Sequence, residues 1–269
     1  MKKFRFPLMM LAVLLLGSCA MKVDQGAEKQ KINSENEALL LATLYQQTAA
    51  EKDALCLQAY NWAKKVIQND MKRMGLSKRQ AVVVDIDETV LNNSPYEAEC
   101  ILSGINYPER WDEWLEDAEA LPLPGALEFL SYASENGYEV FYITNRREMY
   151  REATLRNLQK FNFPHADNEH LMMRTESSSK DARRKKVSEN YRIVLLMGDN
   201  LSDFATIFDQ QTVNDRQDLV MKNKEKFGFE YIALPNAMYG AWLDALYNYE
   251  NNLNFDEKRT LMLEHLQGF

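Results

Sequence analysis

The sequence predicts an α/β fold with a central parallel β-sheet. Residues 81–84, Ala-Val-Val-Val, form a continuous run that is mostly β-branched, which is typical of a strand buried on both faces of a parallel sheet. Three more apolar runs follow at residues 138–143, 171–173 and 193–197, and stretches with helical periodicity separate them. Since 46% of the 269 residues are hydrophobic, the chain can bury one large core, and we predict one domain over residues 34–269.

The segment before this domain has the features of an export signal. Three basic residues among the first five precede an apolar stretch at 6–16, which is too short for a comfortable transmembrane helix. Residues 16–19, Leu-Gly-Ser-Cys, are similar to a bacterial lipobox. We therefore predict a lipoprotein signal peptide over residues 1–18, with an ordinary signal peptide cut elsewhere as the alternative.

Cleavage after residue 18 would make Cys19 the lipidated first residue of the mature protein. Residues 19–33 are small and polar, so they are predicted to be a flexible tether between lipid and domain. The protein is then expected in the cell envelope, anchored through Cys19 to a membrane, the outer membrane of a Gram-negative bacterium. The sequence leaves open which face of the membrane carries the anchor.

The charge of the chain argues against binding to nucleic-acid polymers. Removal of residues 1–18 would change the formal net charge from −8 to −11, because that segment carries three basic residues and no acidic one. An acidic surface disfavours the phosphate backbone of a polymer, although a single nucleotide is still compatible with it.

The cysteines and histidines predict no catalytic or zinc site. Besides Cys19, the chain has Cys56 and Cys100, and export would permit a disulfide between them, although two buried free thiols are equally compatible with the sequence. None of the three histidines, His165, His170 and His265, falls near the candidate site described below, so we predict neither zinc nor a histidine nucleophile.

An N-terminal helical extension is predicted before the first strand. Ser34 and Glu37 match a capping box, and apolar residues continue at helical spacing from Leu40 to Ile67, with a break near residue 50. The helices are predicted to pack against the core and to end near residues 74–76.

Polar residues follow each of the four predicted strands. In chain order they are Asp85 and Asp87, Thr144 and Asn145, Lys180, and Asp199 and Asp203. Because the carboxyl ends of parallel strands open into the crevice where such sheets bind ligands, we expect these side chains to meet. An acidic turn is the simpler explanation of a lone Asp-x-Asp, but it does not account for the other strand ends.

Two of these strand ends are predicted to open helices. Thr144 and Asn145 precede a helix predicted over residues 147–161, and Lys180 stands at the head of another helical stretch. The remaining basic residues up to Lys186 are predicted to lie mostly on a solvated helix face. A last strand at 229–234 and a helical end over 240–267 complete the prediction.

About 50 residues separate Asp87 from the second strand, far more than one crossover needs, so we predict a small cap at about 92–124. Trp114 is predicted to anchor a cap helix to the core. The segment 234–240 returns the chain towards the crevice. For the remaining aromatic residues of these two segments, packing and substrate contact both stay open: Tyr96, Tyr107, Trp111 and Tyr239.

The order Asp-x-Asp, Thr, Lys, Asp-x-x-x-Asp resembles the four motifs of the haloacid dehalogenase (HAD) superfamily. The strings DIDETVLNNSPY, FYITNRR, GDNLSDF and LPNAMYGAW are similar to those of class C acid phosphatases of the lipoprotein e(P4) type, and the resemblance covers about residues 55–250. It implies a Rossmann-like core with a cap after the first strand. Asn92 is a departure, because these proteins usually have Asp before Asn-Ser-Pro-Tyr.

The resemblance also implies roles for the residues that match. The protein would be a Mg²⁺-dependent phosphomonoesterase, with Asp85 as nucleophile, Asp87 as general acid and base, and Lys180, Thr144 and Asn145 around the phosphoryl oxygens. The Mg²⁺ ligands would be Asp85, the backbone carbonyl of Asp87, Asp199 and Asp203. Nucleoside monophosphates are the implied substrates, as in 5'-nucleotidases, with Tyr96 and Tyr239 of the matching strings near the base. Trp111 of the cap is a further candidate for substrate contact.

Other functions remain as alternatives. The nearest is a broad acid phosphatase without nucleotide preference, and a HAD phosphotransferase or dehalogenase is another. A non-catalytic surface lipoprotein with the same fold is disfavoured because Asp85 and Lys180 are both present. Asp87 disfavours a dehalogenase, which has no alkoxide to protonate. The sequence leaves the exact substrate, the pH optimum and a homo-oligomeric state open.

Overall fold

A five-stranded parallel sheet forms the centre of the computed structural model, which describes residues 34–73 and 78–269. In chain order the strands of the protein are β1 Arg79–Val84, β2 Leu91–Asn92, β3 Leu121–Pro122, β4 Glu139–Arg147, β5 Leu171–Arg174, β6 Tyr191–Gly198 and β7 Tyr231–Ala233. The central sheet has the order β5-β4-β1-β6-β7. The predicted α/β fold and its parallel sheet are thereby confirmed.

The central strand β1 is buried on both faces, as its β-branched run predicts. Val82 and Val84 pack into the larger core cluster, and Ala81 and Val83 into a second cluster on the opposite face. Val84 lies level with Tyr142 of β4 on one side and with Met197 of β6 on the other. The residues that follow β1 therefore emerge at the middle of the sheet edge.

The helices lie before, between and after these strands. They are α1 Ser34–Thr48, α2 Ala50–Asp70, α3 Ser94–Ser103, α4 Trp111–Asp117, α5 Ala126–Glu135, α6 Arg151–Lys160, α7 Asp181–Asn190, α8 Val213–Lys222, α9 Ala241–Leu246 and α10 Phe255–Glu264. The predicted break near residue 50 falls at Ala49, between α1 and α2. Helix α2 buries Cys56, Tyr60, Ala63 and Ile67 against the main core, so the helical extension is part of the folded unit.

The predicted cap is an insertion between β1 and β4. Strands β2 and β3 pair antiparallel, with Leu91 level with Pro122, and helices α3 and α4 lie between them in the chain. The pairing of β2 with β3 thus marks the two ends of the insertion, within a few residues of the predicted limits of about 92–124. Asn92 accepts a hydrogen bond from the backbone N–H of Ser94 through Oδ1 at 3.0 Å, a contact that an aspartate could also make.

The helix predicted over 147–161 begins later than expected. Strand β4 continues through Arg147, which lies level with Arg174 of β5, and a 3₁₀ turn at Glu148–Tyr150 precedes α6. Thr144 therefore lies within a strand. The aromatic and β-branched residues at 140–144 favour an extended backbone, and pairing with β5 prolongs it.

The other predicted elements agree more closely with the structure. Lys180 is the N-cap of α7, and β7 lies inside the strand predicted at 229–234. The end of the chain forms two short helices, α9 and α10. Cys56 and Cys100 are both buried and free, which agrees with the thiol alternative.

Several predictions concern residues outside the described ranges: the signal peptide at 1–18, lipidated Cys19 and the tether at 19–33. The helix end predicted at 74–76 is wrong by a few residues, because α2 ends at Asp70. The side chain of Ser34 also lies outside the description, so its capping box is not tested. Among the helices of residues 34–73 and 78–269, none combines the length and the apolar character that crossing a membrane requires.

Candidate active site

Three carboxylates and one lysine meet at the carboxyl ends of β1 and β6. Asp85, Asp199 and Asp203 each offer an oxygen atom, and these atoms all lie within 4.8 Å of one another. The Nζ atom of Lys180 lies 2.6 Å from Oδ1 of Asp203 and also contacts Oδ1 of Asp85. The structure thus brings together four of the residues that the sequence predicted as a site.

The turn after β6 explains how two of these carboxylates converge. Oδ2 of Asp203 accepts a hydrogen bond from the backbone N–H of Asn200 at 3.0 Å, which folds the chain back after Asp199. Gly198 makes this close approach possible, because a Cβ atom at that position would overlap the side chain of Asp203. The Gly-Asp-Asn sequence at the end of β6 is therefore needed for the geometry.

Asn236 fixes Asp199 from a second direction. Its Nδ2 atom donates to Oδ2 of Asp199 at 2.9 Å, and Nδ2 of Asn200 donates to the same oxygen at 2.9 Å. Asn236 belongs to segment 234–240, which was expected to return to the crevice, and this contact confirms that placement. The sequence analysis singled out Tyr239 of this segment and missed Asn236.

The site holds more negative charge than one lysine can neutralise. Burial raises the pKa of Asp85 to about 7, with Lys180 opposing the shift and Asp203 and Asp87 adding to it. Burial, Asp203 and Asp85 also raise the pKa of Asp199 well above its ordinary value. Burial lowers the pKa of Lys180, but Asp203 and Asp85 outweigh that effect and the net pKa is raised.

This donor set fits a divalent metal ion. Hard cations such as Mg²⁺ and Ca²⁺ prefer carboxylate oxygens, and here three carboxylates are close enough to share one ion. A bound cation would offset the burial and the mutual repulsion that raise the two aspartate pKa values. The residues that would hold it are Asp85, Asp199 and Asp203.

Asp87 lies in a different environment from Asp85. Its carboxylate accepts hydrogen bonds from Arg146, at 2.8 Å from Nη2 and 3.0 Å from Nε, and from Nδ2 of Asn93 at 2.8 Å. The hydroxyl of Thr144 lies 3.5 Å from Oδ2. The Arg146 side chain is only 1% exposed, whereas that of Asp87 is 20% exposed, so the guanidinium is shielded from water and the carboxylate stays accessible.

Arg146 was missed as a site residue because its segment was expected to begin a helix. In a strand, alternate residues share a face, so the extension of β4 places Thr144 and Arg146 on the buried side and Asn145 on the exposed side. A longer strand prediction, ending at Arg147, would have identified Arg146 from the sequence.

Asn93 links Asp87 to the cap. Besides donating to Asp87, its amide oxygen accepts from Nε1 of Trp114 at 2.9 Å, and its backbone N–H donates to Oε1 of Glu88 at 2.7 Å. Burial, with Asp87 nearby, raises the pKa of the fully buried Glu88 well above its ordinary value. Trp114 packs against the core as predicted, and its indole also orients the amide that holds Asp87.

Lys185 and Lys186 lie on an exposed helix face, as predicted for the basic residues after Lys180, but the two arginines before them do not. Arg184 is buried and donates through Nη1 to the carbonyl oxygens of Ser202 at 3.0 Å and Asp203 at 2.9 Å. Arg183 donates to Oδ1 of Asn145 at 2.7 Å and to the carbonyl oxygen of Thr144. Both guanidinium groups donate hydrogen bonds to backbone carbonyl oxygens near the site. The pattern of charges along the sequence does not show which carbonyl oxygens need such donors.

The aromatic residues of the cap form a cluster of their own. The ring of Tyr96 is 4.8 Å from that of Trp111 and 6.5 Å from that of Tyr107, and its hydroxyl donates to the carbonyl oxygen of Glu109 at 2.9 Å. With only 2% exposure, Tyr96 fits the packing alternative. Trp111 and Tyr239 remain partly exposed, so substrate contact stays a prediction for them.

A parallel sheet with an Asp-x-Asp strand end, a buried lysine and two further aspartates defines a HAD-type protein. The profile described as HAD superfamily, subfamily IIIB (acid phosphatase) matches residues 15–242. The chain belongs to this family, and its resemblance to class C acid phosphatases is confirmed by the structures reported next.

The fold is similar to that of the class C acid phosphatase from Bacillus anthracis, with a TM-score of 0.84, 40% identity, and coverage of 87% of this chain and 99% of that one. The same enzyme with tungstate bound gives a TM-score of 0.84 and 39% identity, covering 88% of this chain and 99% of that one.

Two plant proteins are similar over a shorter stretch. Acid phosphatase 1 of Solanum lycopersicum is 31% identical over 139 residues, which are 48% of this chain and 54% of that protein. The stem 31 kDa glycoprotein of Glycine max is 29% identical over 128 residues, 45% of this chain and 50% of that protein. The match therefore spans about half the length of these relatives.

Proposed function

We propose that the protein is a Mg²⁺-dependent phosphomonoesterase that acts through an aspartyl-phosphate on Asp85. The observation that carries the proposal is the difference between the two aspartates of the first motif. Asp85 lies with Lys180, Asp199 and Asp203, whereas Asp87, two residues later, is held by Arg146 and Asn93. Two carboxylates in two environments suit two separate roles, one nucleophilic and one acid–base.

In the proposed reaction, a carboxylate oxygen of Asp85 attacks the phosphorus atom and the ester P–O bond breaks. Asp87 gives its proton to the leaving alkoxide and later takes one from the water that attacks the aspartyl-phosphate. That second attack releases phosphate and restores the carboxylate of Asp85. When bound, Mg²⁺ would supply positive charge to the phosphoryl oxygens and to the crowded carboxylates.

Other residues of the chain would position the phosphoryl group. Lys180 adds a fixed positive charge, which the contacts with Asp85 and Asp203 hold at the carboxyl edge of the sheet. Thr144 and the backbone N–H of Asn145, both in β4, would donate hydrogen bonds to the phosphoryl oxygens. Arg183 restrains the Asn145 side chain. The class C acid phosphatase from Bacillus anthracis binds tungstate, a tetrahedral oxyanion like phosphate, which supports a phosphate-binding function for this chain.

For substrate, we propose small phosphomonoesters, with nucleoside monophosphates preferred. Trp111 and Tyr239 are partly exposed aromatic residues in the cap and in the returning segment, and a base could stack on them. Tyr96 would support the Trp111 ring from behind. The alternative is a broad acid phosphatase in which these rings only pack.

The proposal includes a lipid anchor on Cys19 and a site in the cell envelope, supported by the Leu-Gly-Ser-Cys sequence. Two or more acyl chains hold a protein stably on a membrane, whereas one does so only marginally. A Cys19→Ala protein that still sediments with membranes after a carbonate wash would refute the anchor.

The enzymatic proposal is tested by a panel of phosphomonoesters assayed with Mg²⁺ and with excess EDTA. The panel should contain nucleoside monophosphates, glycerol phosphate and p-nitrophenyl phosphate. We expect hydrolysis with Mg²⁺ and its loss with EDTA, because the carboxylates repel an anionic substrate unless a cation is present. Undiminished activity in EDTA would overturn metal dependence, and equal rates across the panel would favour the broad phosphatase.

A further inference from the structure

A second group of metal-ligand side chains lies at the opposite edge of the central sheet. Glu139 is the first residue of β4, five residues before Thr144, which places it roughly 16 Å from the catalytic edge along the strand. Its Oε2 atom lies 3.1 Å from Nε2 of His165 and 3.0 Å from Nε2 of His170. Two of the three histidines of the chain thus converge on one carboxylate oxygen.

The loop between α6 and β5 holds this geometry. His170 is 9% exposed at its side chain, and its carbonyl oxygen accepts from the backbone N–H of Tyr142 at 2.9 Å. The Asp167 carboxylate accepts from the backbone N–H groups of Glu169 at 2.9 Å and His170 at 3.0 Å. The centroids of the two imidazole rings lie 4.7 Å apart. The ligand atoms are therefore placed by backbone contacts, not by long flexible side chains.

We propose that Glu139, His165 and His170 bind a divalent transition-metal ion of the zinc type. In a tetrahedral zinc site with bonds of about 2.0–2.1 Å, two ligand atoms are separated by roughly 3.3 Å. The observed separations of 3.1 and 3.0 Å need only a small outward movement. Two imidazoles and one carboxylate also form a common zinc ligand set, with water in the fourth position.

The surroundings of His170 match those of a metal-bound histidine. Its Nδ1 atom lies 2.8 Å from Oδ1 of Asp167. Metal-binding histidines usually donate the other ring N–H to a carboxylate, which fixes the tautomer and leaves Nε2 free for the metal. Asp167 would therefore act as a positioning residue for the site.

His165 is expected to be the weaker of the two histidine ligands. Its Nδ1 atom accepts from the backbone N–H of Val140 at 3.3 Å, so metal binding through Nε2 would require a proton at Nδ1 and the loss of this long hydrogen bond. Its side chain is 24% exposed, which gives an ion access from solvent. Arg79 pairs with Oε1 of Glu139 and so leaves Oε2 for the metal.

The test is a calorimetric titration of the full chain, purified in detergent, with Zn²⁺ in excess Mg²⁺. An Asp199→Asn variant separates this site from the catalytic carboxylates. We expect one Zn²⁺ per chain in the wild type and in Asp199→Asn, with the heat lost in His170→Ala and Glu139→Gln. Asp167→Asn should weaken binding about 10- to 100-fold, as for other residues that orient a metal ligand. Co²⁺ should give the visible absorption of a tetrahedral site.

His265→Ala is the matched control, because His265 lies at the end of α10 and its Nδ1 contacts the carbonyl oxygen of Leu261. It should bind Zn²⁺ like the wild type. Circular dichroism without metal checks that each variant folds, and Asp167→Asn provides the conservative change if His170→Ala does not. Zn²⁺ binding that is as tight in His170→Ala and in Asp167→Asn as in the wild type, or that disappears in Asp199→Asn alone, would overturn the proposal, as would no binding by the wild type.

Discussion

The carboxyl edge of the sheet, where Asp85, Asp199 and Asp203 meet, and the aromatic cluster of the cap satisfy their polar groups in opposite ways. At the edge, Asp85, Asp199 and Asp203 face a single lysine, and the pKa values of Asp85 and Asp199 are raised. In the cap, Tyr96 packs edge-on against Trp111, and its hydroxyl has a backbone partner. The edge therefore has excess negative charge that a bound cation must neutralise. The polar groups of the cap cluster already have partners within the protein and need no ligand.

This contrast separates residues needed for chemistry from residues needed for folding. Crowded buried carboxylates cost stability, so their presence indicates a functional requirement. Packed aromatic rings stabilise the fold without any substrate. Asp87 lies between the two regions, because Arg146 of β4 and Asn93 at the base of the cap both hold it.

The largest effect on activity is expected for Asp85→Asn. This change removes the proposed nucleophile and one metal ligand, so turnover should fall to background. The free energy of unfolding should increase at pH values above about 7 and stay equal near pH 4, because burial raises the pKa of Asp85 from 3.8 to about 7 and its charge is then costly in the fold. Steady-state kinetics and denaturant unfolding check the two parts. If Asp85→Asn loses its folded structure as well as its activity, Asp85 is needed for folding, and the distinction between the edge and the cap is wrong.

Asp87→Asn should have the next largest effect, roughly 10²- to 10⁴-fold on turnover, the usual scale of general acid–base catalysis. The loss should be smallest for p-nitrophenyl phosphate, whose leaving group needs little protonation, and larger for glycerol phosphate. Measured rates for the two esters provide the comparison. Equal losses for both would indicate that Asp87 does not act as the acid.

Tyr239→Ala tests whether the returning segment contributes to specificity. Base–aromatic stacking contributes about 1–3 kcal/mol, or roughly 5- to 150-fold in kcat/KM if it persists in the transition state. Hydrolysis of a nucleoside monophosphate should slow by that order, while that of glycerol phosphate should scarcely change. If both substrates are affected equally, Tyr239 is a packing residue and the nucleotide preference loses its main support.

The smallest effect is expected in the cap, on stability and not on chemistry. Burial raises the pKa of Glu97 in α3 from 4.5 to about 7. The folded state then binds more protons than the unfolded state between these values, so stability falls as the pH rises through this window. Glu97→Gln should be more stable than the wild type by on the order of 1–3 kcal/mol at pH 8 and similar to it at pH 4.

Thermal or urea unfolding at the two pH values measures this difference. A gain that is the same at both would mean that Glu97 ionisation is not its cause. Activity towards small esters should not change, since Glu97 has no contact with the catalytic carboxylates among its described interactions.

The parts of the fold and site that the sequence predicted are those with a strong local pattern. The run at 81–84 specified a strand buried on both faces, and acidic residues directly after β1 and β6 specified where charge would gather. Arg146, Asn93 and Asn236 escaped prediction, since each acts through contacts that depend on where β4 ends and how the cap and the last segment return.

The histidine cluster shows the same limit. His165 and His170 lie five residues apart in a loop, and Glu139 is 26 residues before the first of them. No spacing rule for zinc sites connects these positions. Only the parallel pairing of β4 with β5 brings the loop beside the start of β4. Tertiary pairing of this kind is not visible in a local sequence pattern.

The most direct test of the central claim is to trap the phosphoryl group on the protein. The enzyme would be mixed with a ³²P-labelled phosphomonoester and Mg²⁺, quenched in acid within the first turnover, and digested for peptide mapping. We predict a base-labile label on the peptide that contains Asp85 and no label in Asp85→Asn. Turnover without any label, or a label on a different residue, would contradict the role assigned to Asp85.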